Sequence, residues 1–132
     1  MTFKVLLADD HAQFLNALRM VLELEPDIEV VGHVSDGAAV LSAVLQAQPD
    51  VVCMDINMPG LNGIQATQSL LAHMPHIKVV ALSGHDDAHM VAQMDSAGAV
   101  AYISKSRAGE EVAHTIRTLL HKPTKKLNAT LA

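Results

Sequence analysis

Asp55 closes the apolar run Val51-Val52-Cys53-Met54 and precedes Ile56-Asn57-Met58-Pro59-Gly60. A carboxylate at the end of a buried strand is costly to desolvate unless something uses it. Matching places in the chain offer partners. Asp9 and Asp10 end the apolar run Phe3 to Ala8, Ser83 ends Ile77 to Leu82, and Lys105 ends Val100 to Ser104. Three carboxylates, a hydroxyl and an ammonium at the ends of four strands describe a site for a divalent cation and a phosphoryl group. Clustered carboxylates repel one another unless a cation sits among them. Mg²⁺ suits the site, because it wants oxygen ligands and takes one or two carboxylates plus a phosphate oxygen. We assign Asp10 and Asp55 as carboxylate ligands, Asp9 as a weaker or water-mediated one, and the Asn57 backbone carbonyl as a further oxygen. Each piece alone also has a plain structural reading. Asp10 with Gln13 resembles a helix capping box, Asp55 could cap a turn, Ser83 could be a core hydroxyl and Lys105 a solvated strand end. The four-part arrangement, in order along the chain, carries the functional reading.

The elements that position these residues alternate five times. Strands are expected at about Phe3 to Ala8, Ile28 to Val34, Val51 to Met54, Ile77 to Leu82 and Val100 to Ser104. Between them run helical stripes: Phe14, Leu15, Leu18, Val21 and Leu22; Val40, Leu41, Val44 and Leu45; Ile64, Thr67, Leu71 and Met74; Met90, Val91 and Met94; and finally Val112, Ile116, Leu119 and Leu120. Pro26, Pro49 and Pro75 interrupt the connections. Pro59-Gly60 and Asn62-Gly63 are turn pairs, Asp86 or Asp87 could cap the fourth helix, and Gly98 is placed to end it. The pattern is (βα)5. It implies an α/β fold with a parallel sheet and helices on both faces, and near-continuous apolar strands agree with that. In such sheets ligands bind beyond the C-terminal strand ends, the edge on which Asp9, Asp10, Asp55, Ser83 and Lys105 fall.

The bulk of the sequence excludes several classes. A chain of 132 residues makes one domain. Nine basic against fourteen acidic residues argue against direct nucleic-acid binding by charge, and only Phe3, Phe14 and Tyr102 are aromatic. The single cysteine, Cys53, reads as a small core residue and not as part of a disulfide framework. Apolar runs are too short for a membrane span, the start has no signal-peptide shape, and a cytoplasmic location is the expectation. The eight histidines show no metal-ligand spacing and are read as ordinary surface or core residues. The methionines on apolar stripes, Met20 among them, are read as core.

The motifs Ala8-Asp9-Asp10-His11, Met54-Asp55-Ile56-Asn57-Met58-Pro59-Gly60 with Asn62-Gly63, Leu82-Ser83, and Gly98-Ala99 through Tyr102 to Lys105 resemble those of a two-component response-regulator receiver domain. The resemblance covers roughly Phe3 to Leu120. It is closest to the LuxR/NarL-type subclass with a helix-turn-helix output, through Asp9-Asp10-His11, the stretch Glu25 to Gly32, and Ser35-Asp36-Gly37. It implies a flavodoxin-like doubly wound five-stranded sheet in the order 2-1-3-4-5. It implies that Asp55 accepts a phosphoryl group from a histidine kinase or phosphotransfer protein, with Mg²⁺ and Lys105 neutralising the phosphoryl oxygens. Ser83 and Tyr102 would be the switch residues, and Asn57 and His85 would tune the phosphoryl lifetime. The output surface would be the fourth helix, fifth strand and fifth helix, and homodimerisation on phosphorylation is expected.

Some positions depart from the pattern. Ser106 stands after Lys105 where many receivers have proline, and Ser83 stands where threonine is commoner. We expect a receiver domain over residues 1–121 and a linker or tail over 122–132. A chain ending there fits a stand-alone receiver acting by protein contact, or a piece of a longer regulator with a C-terminal helix-turn-helix DNA-binding domain outside it; the resemblance favours the second. A rival from the enzyme class is an aspartyl-phosphate phosphotransferase, which would want a second acidic residue where Asn57 stands. A flavodoxin-like cofactor binder would want a Ser/Thr/Gly-rich loop where this chain has Asp9-Asp10-His11-Ala12-Gln13. No enzymatic activity is expected.

Overall fold

The computed structural model describes residues 2–84 and 88–131, with side chains as far as residue 120. His85, Asp86 and Asp87 therefore lie outside the described residues. Strands β1 (Phe3–Ala8), β2 (Ile28–Val34), β3 (Val51–Asp55), β4 (Lys78–Ser83) and β5 (Ala101–Ser104) alternate with helices α1 (Ala12–Glu23), α2 (Val40–Ala47), α3 (Gly63–His73), α4 (Ala88–Ala97) and α5 (Ala108–Leu131). Every strand pairing is parallel, and the order is β2-β1-β3-β4-β5, as expected.

Side chains alternate across a strand, and that alternation sorts the core into two layers. Val5, Leu7, Val51, Cys53, Val80, Leu82 and Ile103 face Leu15, Leu18 and Leu22 of α1 and Val112 and Ile116 of α5. Leu6, Ala8, Val52, Met54, Val79 and Ala81 face Val40 and Val44 of α2, Ala66 and Leu70 of α3, and Met94 of α4. Central strands β1, β3 and β4 are buried almost throughout, whereas β2 and β5, at the edges, are half covered. Arg117 of α5 holds the start of β2 to this frame. Its guanidinium donates two 2.7 Å bonds to the carboxylate of Asp27 and another to Glu25.

Some side chains fall elsewhere than the periodicity predicts. Leu45 is exposed although Val40 and Val44 of the same helix are buried, because the short α2 covers only a narrow strip of sheet. Met20 is likewise exposed, on the side of α1 turned away from the sheet. Asn62-Gly63 is a helix start and not a free turn. The Asn62 side chain accepts from the Gln65 amide while the Gln65 side chain accepts from Asn62 N–H, a reciprocal capping box. Gly98 does end α4, at φ +114°.

Gly63 sets where α3 begins. A Cβ at this position would stand 2.1 Å from the Asp55 carbonyl oxygen and 2.7 Å from Ile56 Cα. Only glycine lets the helix start against the end of β3, the strand end that presents Asp55. Gly109, in the first turn of α5, has nothing within 4 Å of such a Cβ. Gly63→Ala should cost about 1–3 kcal/mol in urea unfolding, and Gly109→Ala should be neutral or gain up to about 1 kcal/mol from helix propensity. Equal effects at the two sites would remove the packing argument.

Candidate functional site

The first strand delivers two acids into different surroundings. Asp9 is 2 % exposed, and its amide continues the ladder by donating to Val34 O at 3.0 Å. Its Oδ1 accepts from the His11 amide at 2.7 Å, which turns the chain into α1. His11 is the N-cap of that helix and makes no side-chain cap. The capping box expected from Asp10 and Gln13 therefore does not form, because the helix starts one residue later than such a box requires. Asp10 instead turns its carboxylate toward the pocket, 3.3 Å from His11 Nδ1.

Asp55, the last residue of β3, is also 2 % exposed. Its Oδ1 accepts from Asn57 N–H at 3.2 Å. By the alternation above, Asp9 and Asp55 continue the sheet face that carries α1 and α5. Lys105 arrives on that face from just beyond β5, in a short 3-10 turn (Lys105–Arg107). Its ammonium lies 2.8 Å from Asp9 Oδ2 and 3.4 Å from Asp55 Oδ2, with the Phe14 ring centroid 4.8 Å away.

One ammonium does not balance this group. Three carboxylates and one lysine leave two formal negative charges in excess. The buried Oδ2 atoms of Asp9 and Asp55 have the ion pairs but no partner in hydrogen-bonding geometry. Burial, and then the neighbouring Asp9 carboxylate, push the Asp55 carboxyl up to about 6, against the opposing pull of Lys105 and the Asn57 amide. A divalent cation would complete such a group, and the residues fit one. Asp9, Asp10, His11 and Asp55 each offer a ligand atom, all within 4.8 Å of one another.

The pocket includes one residue that the sequence reading passed over. His11 Nδ1 is 3.2 Å from Asp9 Oδ1, 3.8 Å from Asp55 Oδ2 and 3.0 Å from Lys105 Nζ. The signal was adjacency to the acidic pair. The ring's direction follows from the tight turn at Asp9, which no spacing rule reports.

The other expected residues sit at graded distances from this centre. Asn57 lines the same cleft as Asp10, Phe14, Asp55, Gly84 and Lys105. Ser83 is buried at the end of β4, one residue before Gly84. By register it falls on the opposite sheet face, together with Tyr102, which pairs across from Ala81. Tyr102 packs against the layer under α4 and lines a cavity of about 590 Å³ with Ala81, Ala88, Val91, Met94 and Ala99. Cys53 is buried and free, its thiol pushed up to about 12 by burial, which fits a core residue. Among the described residues no helix is long and apolar enough to cross a membrane.

Comparison with known proteins agrees with this fold. The model of the response regulator receiver domain matches residues 5–117. The chain is 34% identical over 116 residues to the transcriptional regulatory protein DegU of Brevibacillus brevis, covering 88% of this chain and 49% of that protein. It is 37% identical over 114 residues to the transcriptional regulatory protein LiaR of Bacillus subtilis (strain 168), covering 86% and 54%. The chain thus spans about half the length of these curated relatives. Among solved structures, a LuxR-family two-component response regulator from Aurantimonas sp. SI85-9A1 superposes with a TM-score of 0.86 at 26% identity, covering 92% of this chain and 87% of that one. The signal receiver domain of the putative response regulator NarL from Mycobacterium tuberculosis gives 0.79 at 28% identity, covering 88% and 97%.

The raised Asp55 carboxyl makes a pH-dependent prediction in metal-free buffer. An unfolded aspartate titrates near 3.8 and the folded Asp55 near 6, so the folded chain holds this proton more tightly. Stability is therefore lost as pH rises through that window, and the cost is complete above about pH 6. In chelator at pH 7.5, Asp55→Asn should be more stable than the parent, by about 2–3 kcal/mol at most. The difference should shrink toward pH 4. A variant less stable than the parent at pH 7.5, or a gap independent of pH, would show that Asp55 is not under charge stress.

Proposed function

The chain belongs to the response regulator receiver domain family, and from that premise we propose that it is a phosphorylation-activated switch with Asp55 as its sole phosphoacceptor. The observation that carries the reading is the buried Asp55 carboxylate, crowded by Asp9 and facing the Lys105 ammonium. Phosphoryl transfer asks a protein mainly for positioning and charge stabilisation. An Asp55 oxygen attacks the phosphorus of a phosphohistidine on a histidine kinase or phosphotransfer protein; the P–N bond breaks and the donor imidazole leaves. Lys105 turns its ammonium from the carboxylates to a phosphoryl oxygen. Asp9, Asp10, Asp55 and the Asn57 carbonyl would hold Mg²⁺, which supplies the positive charge that three carboxylates and a phosphoryl group require. Asn57 and His85 would set the lifetime of the aspartyl phosphate by controlling the in-line approach of water.

The signal would leave through the opposite sheet face. Ser83 would donate to a phosphoryl oxygen, and Tyr102 would turn into the cavity beside α4, whose alanine-rich lining leaves space for a ring. A hydrogen bond to a charged group contributes about 1.5–3 kcal/mol, so two new ones approach the ~5.5 kcal/mol that carries an equilibrium from 1:99 to 99:1. We place the receiver at residues 1–121, with 122–132 leading toward an output. Relatives named as transcriptional regulatory proteins, about twice as long, support a transcriptional output, and with it we propose a helix-turn-helix DNA-binding domain and a non-enzymatic, cytoplasmic role. Homodimerisation on phosphorylation is part of the same proposal.

Two measurements test it. Acetyl phosphate with Mg²⁺ should add one phosphoryl group to the parent by intact mass, none to Asp55→Asn, and little to the parent in chelator. Labelling of Asp55→Asn at the parental rate would refute the assignment. Ser83→Ala should still be phosphorylated, yet beryllofluoride should shift the amides of residues 88–104 less than in the parent. An undiminished response would break the proposed coupling.

A further inference from the structure

The Lys105 ammonium marks a cation position, and one of the groups around it is not an oxygen. It stands 2.8 Å from Asp9 Oδ2, 3.4 Å from Asp55 Oδ2 and 3.0 Å from His11 Nδ1. An ammonium has only hydrogens to offer, so in the Nε2–H tautomer Nδ1 meets it with a lone pair, whereas in the other tautomer Nδ1–H donates to Asp9 Oδ1 at 3.2 Å; a metal ion takes the first. The two carboxylate oxygens are buried and lack partners in hydrogen-bonding geometry. Asp10 Oδ1 closes the ring at 3.3 Å from the same imidazole nitrogen. Four possible ligand atoms, three oxygens and one nitrogen, therefore lie within 4.8 Å of one another, somewhat more than the ~4.2 Å that opposite ligands of an octahedral ion with bonds of ~2.1 Å span. The His11 side chain is 63 % exposed, so an ion from solvent meets it first.

We propose that His11 Nδ1 is a metal ligand, making this a mixed oxygen–nitrogen site whose affinity for first-row transition cations exceeds what its carboxylates alone provide. The inference rests on the reading of the carboxylate cluster as a cation site. Mg²⁺ takes oxygen ligands and keeps its waters, so it gains little from an imidazole. Co²⁺, Ni²⁺ and Zn²⁺ bind imidazole well, so a nitrogen ligand favours them over Mg²⁺. Lys105 already occupies the position, so the entering ion displaces its ammonium. His11 then acts on selectivity: it widens the gap between Mg²⁺ and the transition ions.

The test is a titration of metal-free protein with Co²⁺ and, separately, Mg²⁺ by calorimetry, for the parent and His11→Ala. Co²⁺ affinity should fall about tenfold or more in the variant, with Mg²⁺ affinity changed by no more than about twofold. Equal Co²⁺ affinities, or a parallel loss for both ions, would overturn the assignment. A second readout needs no variant to fold: one-equivalent Co²⁺ in the parent should shift an exchangeable imidazole N–H proton far outside the diamagnetic range. Absence of that signal from the parent would also overturn the assignment. Failure of both ions to bind the parent would instead point at the cation site itself, which acetyl phosphate labelling in Mg²⁺ checks separately.

Discussion

Two nearly buried carboxylates, Asp9 and Asp55, share one ammonium, and the local architecture exists to keep them together. Opposite charge at 2.8 and 3.4 Å offsets part of their mutual repulsion, and the Asp55 carboxyl, pushed up to about 6 by burial and then by Asp9, shows that it does not offset all of it. This arrangement needs two strand ends side by side and a third within a lysine's reach. The order β2-β1-β3-β4-β5 places β1 beside β3, so Asp9 and Asp55 are neighbours on one face. Lys105 must then reach across from beyond β5, over β4, and the face of Phe14 supports its ammonium on the way. The stress is the useful property. A site that is short of positive charge when empty gains most from a cation, and then from the events a cation permits.

The same alternation that gathers the acids separates them from Ser83 and Tyr102, the residues proposed to carry the signal. Asp9, Asp55 and Lys105 lie with α1 and α5, whereas Ser83 and Tyr102 lie with α4. A sheet one strand thick is the only thing between the two groups, and Ser83 sits at its end, next to Gly84 of the acidic cleft. A small movement at a strand end can therefore reach a cavity on the far face without a long chain of contacts.

Most of this was readable beforehand for one reason. Parallel strands buried on both faces are short continuous apolar runs, and a charged or hydroxylated residue ending such a run is conspicuous. That is how Asp9, Asp55, Ser83 and Lys105 stood out. What could not be read depended on a side chain's direction. His11 looked ordinary because its role follows from the turn that ties its amide to Asp9. Asn62-Gly63 read as a turn because the reciprocal cap with Gln65 and the close approach to Asp55 O need three dimensions to see. Leu45 fits its stripe by spacing, yet the short α2 does not cover enough sheet to bury it, and Met20 was read as core by type although it lies on the side of α1 turned away from the sheet.

The direct test of the charge balance is to remove the resident cation. Lys105→Met keeps most of the stem and deletes the ammonium. Thermal unfolding of parent and variant would be compared in chelator and in saturating Mg²⁺. If three carboxylates are held against their repulsion by one lysine, the variant should melt well below the parent in chelator. Its gain in Tm on adding Mg²⁺ should then be the larger of the two, since an ion that binds only the folded chain stabilises it more the more tightly it binds. Equal gains in the two proteins, or no deficit in chelator, would contradict the account.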